Sequence, residues 1–154
     1  MKIMTAIGLL LNAMFAVRQN ERTRGRKLGR LMSEHTEQAA LIEWATMNLG
    51  QYPELVMLYA IPNGGKRHIK TAAKLKAEGV KAGVWDLSLD VARDHWHGLK
   101  IEMKWDRNDL TYEQSLWAAR YQAYGYQTVV AWQWTRAAAA ILDYLAYDVP
   151  GGLQ

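Results

Sequence analysis

The sequence predicts an α/β fold, a small mixed β-sheet flanked by helices. Three observations point there. Stretches of strand length recur at 55–61, 84–91, 98–104 and 126–132, the first a run of mostly apolar residues and the middle two alternating apolar with polar. Capped stretches of helical length lie among them, and Gly or Pro punctuates nearly every junction. Elements that alternate in this way pack as helices on a sheet.

The elements follow in order. Ser33 can cap a helix over about 34–49, with Glu34 and Glu37 suiting its positive first turn and Gly50 after its end. The run Leu55–Ile61 reads as a buried strand, broken by the turn Pro62-Asn63-Gly64-Gly65. A basic helix is expected over 67–78, stopped by Gly79. A strand at 84–91, a polar turn around Arg93–His97 and a strand at 98–104 form a hairpin. Thr111 can cap a helix running to Tyr124, stopped by Gly125. A strand at 126–132 and a helix at 135–146 complete the domain, which is expected to span 32–148.

Residues 1–31 stand apart. An apolar run over 3–17 precedes RTRGRKLGR, and this segment holds seven Lys or Arg against one acid. The run is too short for a comfortable transmembrane span, and its heavier charge lies on the wrong side for a signal peptide. An artefactual or disordered extension before a start at Met32, an extra helix, and a targeting or surface-membrane segment all stay open; membrane contact is not the expected one. Residues 32–154 carry twelve Lys or Arg against fourteen acids, so the pI near 9.3 belongs to the N-terminal segment. Nucleic-acid binding must therefore be argued from local clusters. There is no cysteine, which excludes disulfides, thiolate metal sites and a Cys nucleophile, and fits a reducing cytosol.

Side chains alternate faces along a strand. That places Lys100, Glu102 and Lys104 opposite Leu99, Ile101 and Met103, and Asp86, Ser88 and Asp90 opposite Trp85, Leu87, Leu89 and Val91. A hairpin centred on residue 94 sets Asp86 across from Glu102. An Asp, a Glu and a Lys then share one face, a set suited to phosphodiester hydrolysis. Two carboxylates offer hard oxygen ligands to Mg²⁺, and a lysine can orient water and stabilise charge on the phosphate. The plainer alternative is an amphipathic hairpin with a solvated polar face.

The neighbours sharpen this. Glu34-His35-Thr36-Glu37-Gln38, Asn63-Gly64-Gly65-Lys66-Arg67, Gly79–Asp86, Ile101-Glu102-Met103-Lys104 and Leu110–Gln114 follow one another in order, with Gly125-Tyr126 before the last strand. Together, over about 110 residues, they resemble the VRR-NUC family of the PD-(D/E)XK nuclease superfamily, in its stand-alone phage or bacterial type. One position departs: the family usually has Pro before the metal-binding Asp, and here it is Trp85.

The resemblance implies a restriction-endonuclease-like core and an Mg²⁺-dependent endodeoxyribonuclease, with Mn²⁺ able to substitute. Asp86, Glu102 and the main-chain carbonyl of Met103 would hold the metal, and Lys104 would be the catalytic lysine. The acid on the first helix is Glu34 or Glu37; helical geometry does not decide, and Glu34, four residues from Gln38, is slightly preferred. Gln114 reads equally as a site residue and as half of a Thr111–Gln114 capping box. Asn63, Gly64 and Gly65 form a turn whose backbone can approach a phosphate, and Lys66, Arg67, Lys70, Lys74 and Lys81 lie in the one concentrated basic segment that follows; all are the expected DNA contacts, against the alternatives of a plain turn and a solvated helix face. Family resemblance also implies a homodimer acting on branched DNA such as four-way junctions, in the cytoplasm of a bacterium or phage-infected cell, with no small-molecule cofactor. The alternative is a catalytically weak DNA-binding module of the same fold. His35, His68, His95 and His97 make no convincing zinc set and are expected at the surface.

Overall fold

The computed structural model describes residues 33–62, 74–106 and 108–150. The extension 1–31, most of the expected basic helix and Arg107 lie outside them, as do Asn63, Gly64, Gly65, Lys66, Arg67 and Lys70. Helix α1 (Glu34–Met47) leads through a short 3₁₀ helix (Pro53–Met57) to β1 (Leu58–Ala60). Then come β2 (Leu87–Leu89), β3 (Gly98–Met103), α2 (Tyr112–Ala123), β4 (Tyr126–Ala131) and α3 (Trp134–Leu145). The four strands form one mixed sheet in the order β1-β2-β3-β4. The β1–β2 and β2–β3 pairs are antiparallel, while β3 and β4 run parallel across the α2 crossover.

Both faces of this sheet are covered. Leu87, Leu89, Leu99, Ile101 and Met103 pack on one side against Leu41 and Trp44 of α1 and Ala137, Ile141 and Tyr144 of α3. On the other side Tyr121 of α2 and Tyr126 of β4 lie against the Lys100 ammonium, at 5.7 and 4.5 Å from their ring centroids. All six residues of β3 are consequently buried. The polar face of the hairpin is thus not solvated: Lys100, Glu102 and Lys104 are 8, 1 and 5% exposed.

Two expected strands are shorter than their apolar runs. Pro53, with its fixed φ, starts a helical turn, and Leu55 N–H donates to Tyr52 O at 3.0 Å, so only 58–60 of the 55–61 run is extended in the sheet. Of 84–91, only Leu87–Leu89 pairs; Gly83, at φ +77°, turns the chain before it. The basic segment is helical over 74–77. Among the described residues no helix is long and apolar enough to cross a membrane, and His35, His95 and His97 are exposed.

Candidate active site

The hairpin register decides which polar groups meet. Leu87 pairs with Ile101 and Ser88 with Lys100, so one step outward Asp86 lies across from Glu102, with the turn centred on residue 94. Asp86 has left the ladder, and its Oδ2 accepts the Met103 N–H at 3.0 Å in place of a backbone partner. Glu34, the first residue of α1, reaches the same place. One carboxylate oxygen each from Glu34, Asp86 and Glu102 lie within 4.8 Å of one another.

Lys104 completes the group. Its Nζ stands 3.2 Å from Glu102 Oε1 and donates to Gln114 Oε1 at 2.7 Å. Gln114 serves two ends at once. Its Oε1 accepts the Thr111 N–H at 2.9 Å, and Thr111 Oγ1 accepts Gln114 N–H at 3.3 Å, the reciprocal cap of α2. Its Nε2 donates to Glu102 Oε1. The capping and site readings of this residue therefore coexist.

Glu37 is placed elsewhere. It is buried and its Oε2 accepts the Trp134 N–H at 2.7 Å. Gln133 at the start of α3 makes no side-chain cap, so Glu37 caps α3 from another helix and its negative charge suits that N-terminus. Of the described basic candidates, Lys81 is exposed and Lys74 is exposed beside Glu78 at 3.8 Å.

Burial and mutual repulsion shape the titration of the cluster. Desolvation, then the Asp86 charge, push Glu102 from the usual 4.5 to about 7 despite Lys104. Desolvation followed by Asp86 also raises Glu34, and desolvation raises Asp86 against the opposing Met103 N–H and Lys104. Glu102 Oε2 is buried with no hydrogen-bond partner among the described residues. Such an orphan is costly. Three hard oxygen donors, one each from Glu34, Asp86 and Glu102, lie close enough together to fit a divalent cation such as Mg²⁺.

Two features escaped the sequence reading. A second polar network lies on the same face: Lys100 donates to Ser88 Oγ and to Asp90 Oδ1 at 3.1 Å, Ser88 donates to Asp90, and Tyr59 donates to Asp90 Oδ2 at 2.7 Å. Burial disfavours ionisation of Asp90, but the Ser88, Tyr59 and Lys100 hydrogen bonds prevail and hold its carboxyl below the usual value. The other is Trp85, 1% exposed, whose indole N–H donates to Gln114 O at 3.0 Å. Nothing in the local sequence indicates either partner, because both depend on where α2 and β1 dock.

No protein-family model matches the chain, and no curated protein does. Among solved structures it is similar to one described as a "VRR_NUC domain protein", with 28% identity, a TM-score of 0.65, and coverage of 78% of this chain and 93% of that one. Together with the mixed sheet, the flanking helices and the clustered carboxylates, this similarity supports a VRR-NUC domain, a nuclease-type domain on a restriction-endonuclease-like core.

Proposed function

We propose that this chain is a metal-dependent endonuclease that hydrolyses DNA phosphodiesters at the Glu34–Asp86–Glu102–Lys104 cluster. The observation that carries this reading is the buried Glu102 carboxylate, raised to about 7 and left with an unpartnered oxygen beside two other acids and a lysine. Asp86 and Glu102, with Glu34 at the exposed rim and, as the resemblance implies, the Met103 carbonyl, would hold Mg²⁺ or Mn²⁺. Such an ion, when bound, offsets phosphate charge and lowers the pKa of a coordinated water.

The chain's own groups do the rest. Gln114 and Glu102 fix the Lys104 ammonium from two sides, so its remaining proton is available to a phosphate oxygen or the attacking water without rotamer search. Glu102 must be deprotonated to serve as a ligand, which ties activity to pH near 7. Lys74 and Lys81, with the segment 63–70 outside the described residues, supply phosphate contacts that position DNA without reading its sequence. In this reading the enzyme acts as a homodimer on branched DNA, as the VRR-NUC resemblance implies.

The test is incubation of the purified protein with labelled four-way junction, flap and linear duplex, with and without Mg²⁺, and its size by sedimentation. Mg²⁺-dependent cuts concentrated on the junction support the reading. Equal cutting of all three removes the shape preference, and binding without cutting reduces the chain to a DNA-holding module.

A further inference from the structure

One carboxylate oxygen each from Glu34, Asp86 and Glu102 lie within 4.8 Å of one another; like charges that close repel, and something must hold them together before a cation arrives. Asp86 is the weakest point, since it lies just outside β2. From the β1 side its carbonyl accepts the Ile61 N–H at 2.7 Å. On the opposite side the loop 82–86 is bound to α2 by two indoles. Trp117 of α2 donates to Ala82 O at 2.9 Å, and Trp85 donates to Gln114 O at 3.0 Å while meeting Tyr121 edge-on at 6.0 Å. The contact is close enough to need glycine: a Cβ on Gly83 would stand 2.5 Å from Glu113 Cβ and 2.9 Å from Gln114 N.

We propose that Trp85 is a positioning residue for the acidic cluster, fixing Asp86 relative to Glu102 through Gln114. The connections close a ring. Trp85 holds the Gln114 backbone, the Gln114 side chain holds Glu102 and Lys104, the Met103 N–H holds Asp86, and Asp86 adjoins Trp85. A ring of this kind sets the spacing of two ligands in advance, which a pair of like charges on separate segments cannot do alone. The inference rests on the metal-site reading above.

Mn²⁺ alone, titrated calorimetrically into the full chain, is the probe. Trp85→Phe keeps a buried aromatic ring and removes the indole donor, along with part of the indole's volume. Tyr144→Phe is the comparison: it removes a buried donor, the hydroxyl bonded to Val91 O at 2.6 Å, in the core on the other face. Both should lower the melting temperature, Trp85→Phe the more because it also leaves a cavity, but only Trp85→Phe should weaken Mn²⁺ binding, by roughly 10-fold. Should Trp85→Phe fail to fold, Gly83→Ala opens the same joint from its other side and should weaken Mn²⁺ in the same sense. Wild-type affinity in the folded Trp85 or Gly83 variant overturns the proposal, as does equal weakening by Tyr144→Phe. Glu102→Ala separates the two levels: if it binds Mn²⁺ as the wild type does, the metal-site reading itself fails.

Discussion

The Lys104 ammonium and the Gln114 side-chain oxygen meet at 2.7 Å, and that oxygen also accepts the Thr111 N–H at 2.9 Å. One atom therefore belongs both to a helix cap and to the candidate site, and substitutions can separate the roles. Thr111→Ala should cost about 1 kcal/mol of stability through the lost cap and leave cleavage nearly intact. Gln114→Ala should cost a similar amount and also lower the cleavage rate by roughly 10-fold or more, since Lys104 loses its anchor. Urea denaturation and single-turnover cleavage measure the two effects.

Glu34 and Glu37 should part in the same way. Glu37→Ala leaves the Trp134 N–H of α3 without its acceptor and should destabilise the fold by about 2 kcal/mol, with Mn²⁺ affinity unchanged. Glu34→Gln should weaken Mn²⁺ binding while leaving metal-free stability equal or slightly higher, because it removes a charge that Asp86 repels. Paired urea melts and calorimetry distinguish these outcomes.

The pH dependence follows from Glu102. Its carboxyl is raised in the fold from 4.5 to about 7, so the folded state binds its proton more tightly than the unfolded chain does. The associated stability is fully present below pH 4.5 and is lost as pH rises through about 7. Metal-free protein should therefore lose melting temperature across that window, and Glu102→Gln should flatten the slope. Metal affinity runs the other way, falling about tenfold per unit below pH 7 where one proton must be displaced.

Lys100 lies beside the site without touching the carboxylate cluster, held by Ser88 and Asp90 under Tyr126. Asp90→Ala leaves a buried ammonium without its counter-charge. A loss of about 2 kcal/mol is expected, below the range for a fully buried pair because Asp90 is partly exposed. Urea denaturation checks it, and Lys100→Met should recover part of the loss.

Much of this arrangement is legible in the chain. Alternation along 87–91 and 98–104 gave the polar face, although Trp85, expected beside Leu87 and Leu89, packs instead on α2, and a turn centred on residue 94 gave the pairing that brings Asp86 to Glu102. Local chemistry sufficed for Ser33 and Thr111 as caps. What the chain could not give is set by contacts distant in sequence. Glu34 and Glu37 lie in one helical turn, and their fates differ because α3 begins at Trp134, 97 residues after Glu37. Alternation likewise cannot say that α2 covers the polar face, which is why a solvated hairpin and a buried site looked alike. The 55–61 run read as a strand because its apolar content hid the turn that Pro53 starts.

The central claim is that Glu102 is a metal ligand in a phosphodiester-cutting site, and one measurement tests it most directly. End-labelled DNA is incubated with the wild type or Glu102→Ala, both shown to bind that DNA equally, across an Mg²⁺ titration. The account predicts saturable Mg²⁺-dependent cleavage by the wild type and none by the variant at any Mg²⁺ concentration. Equal cleavage by the two proteins, or cleavage by the wild type that persists in chelator, would contradict it.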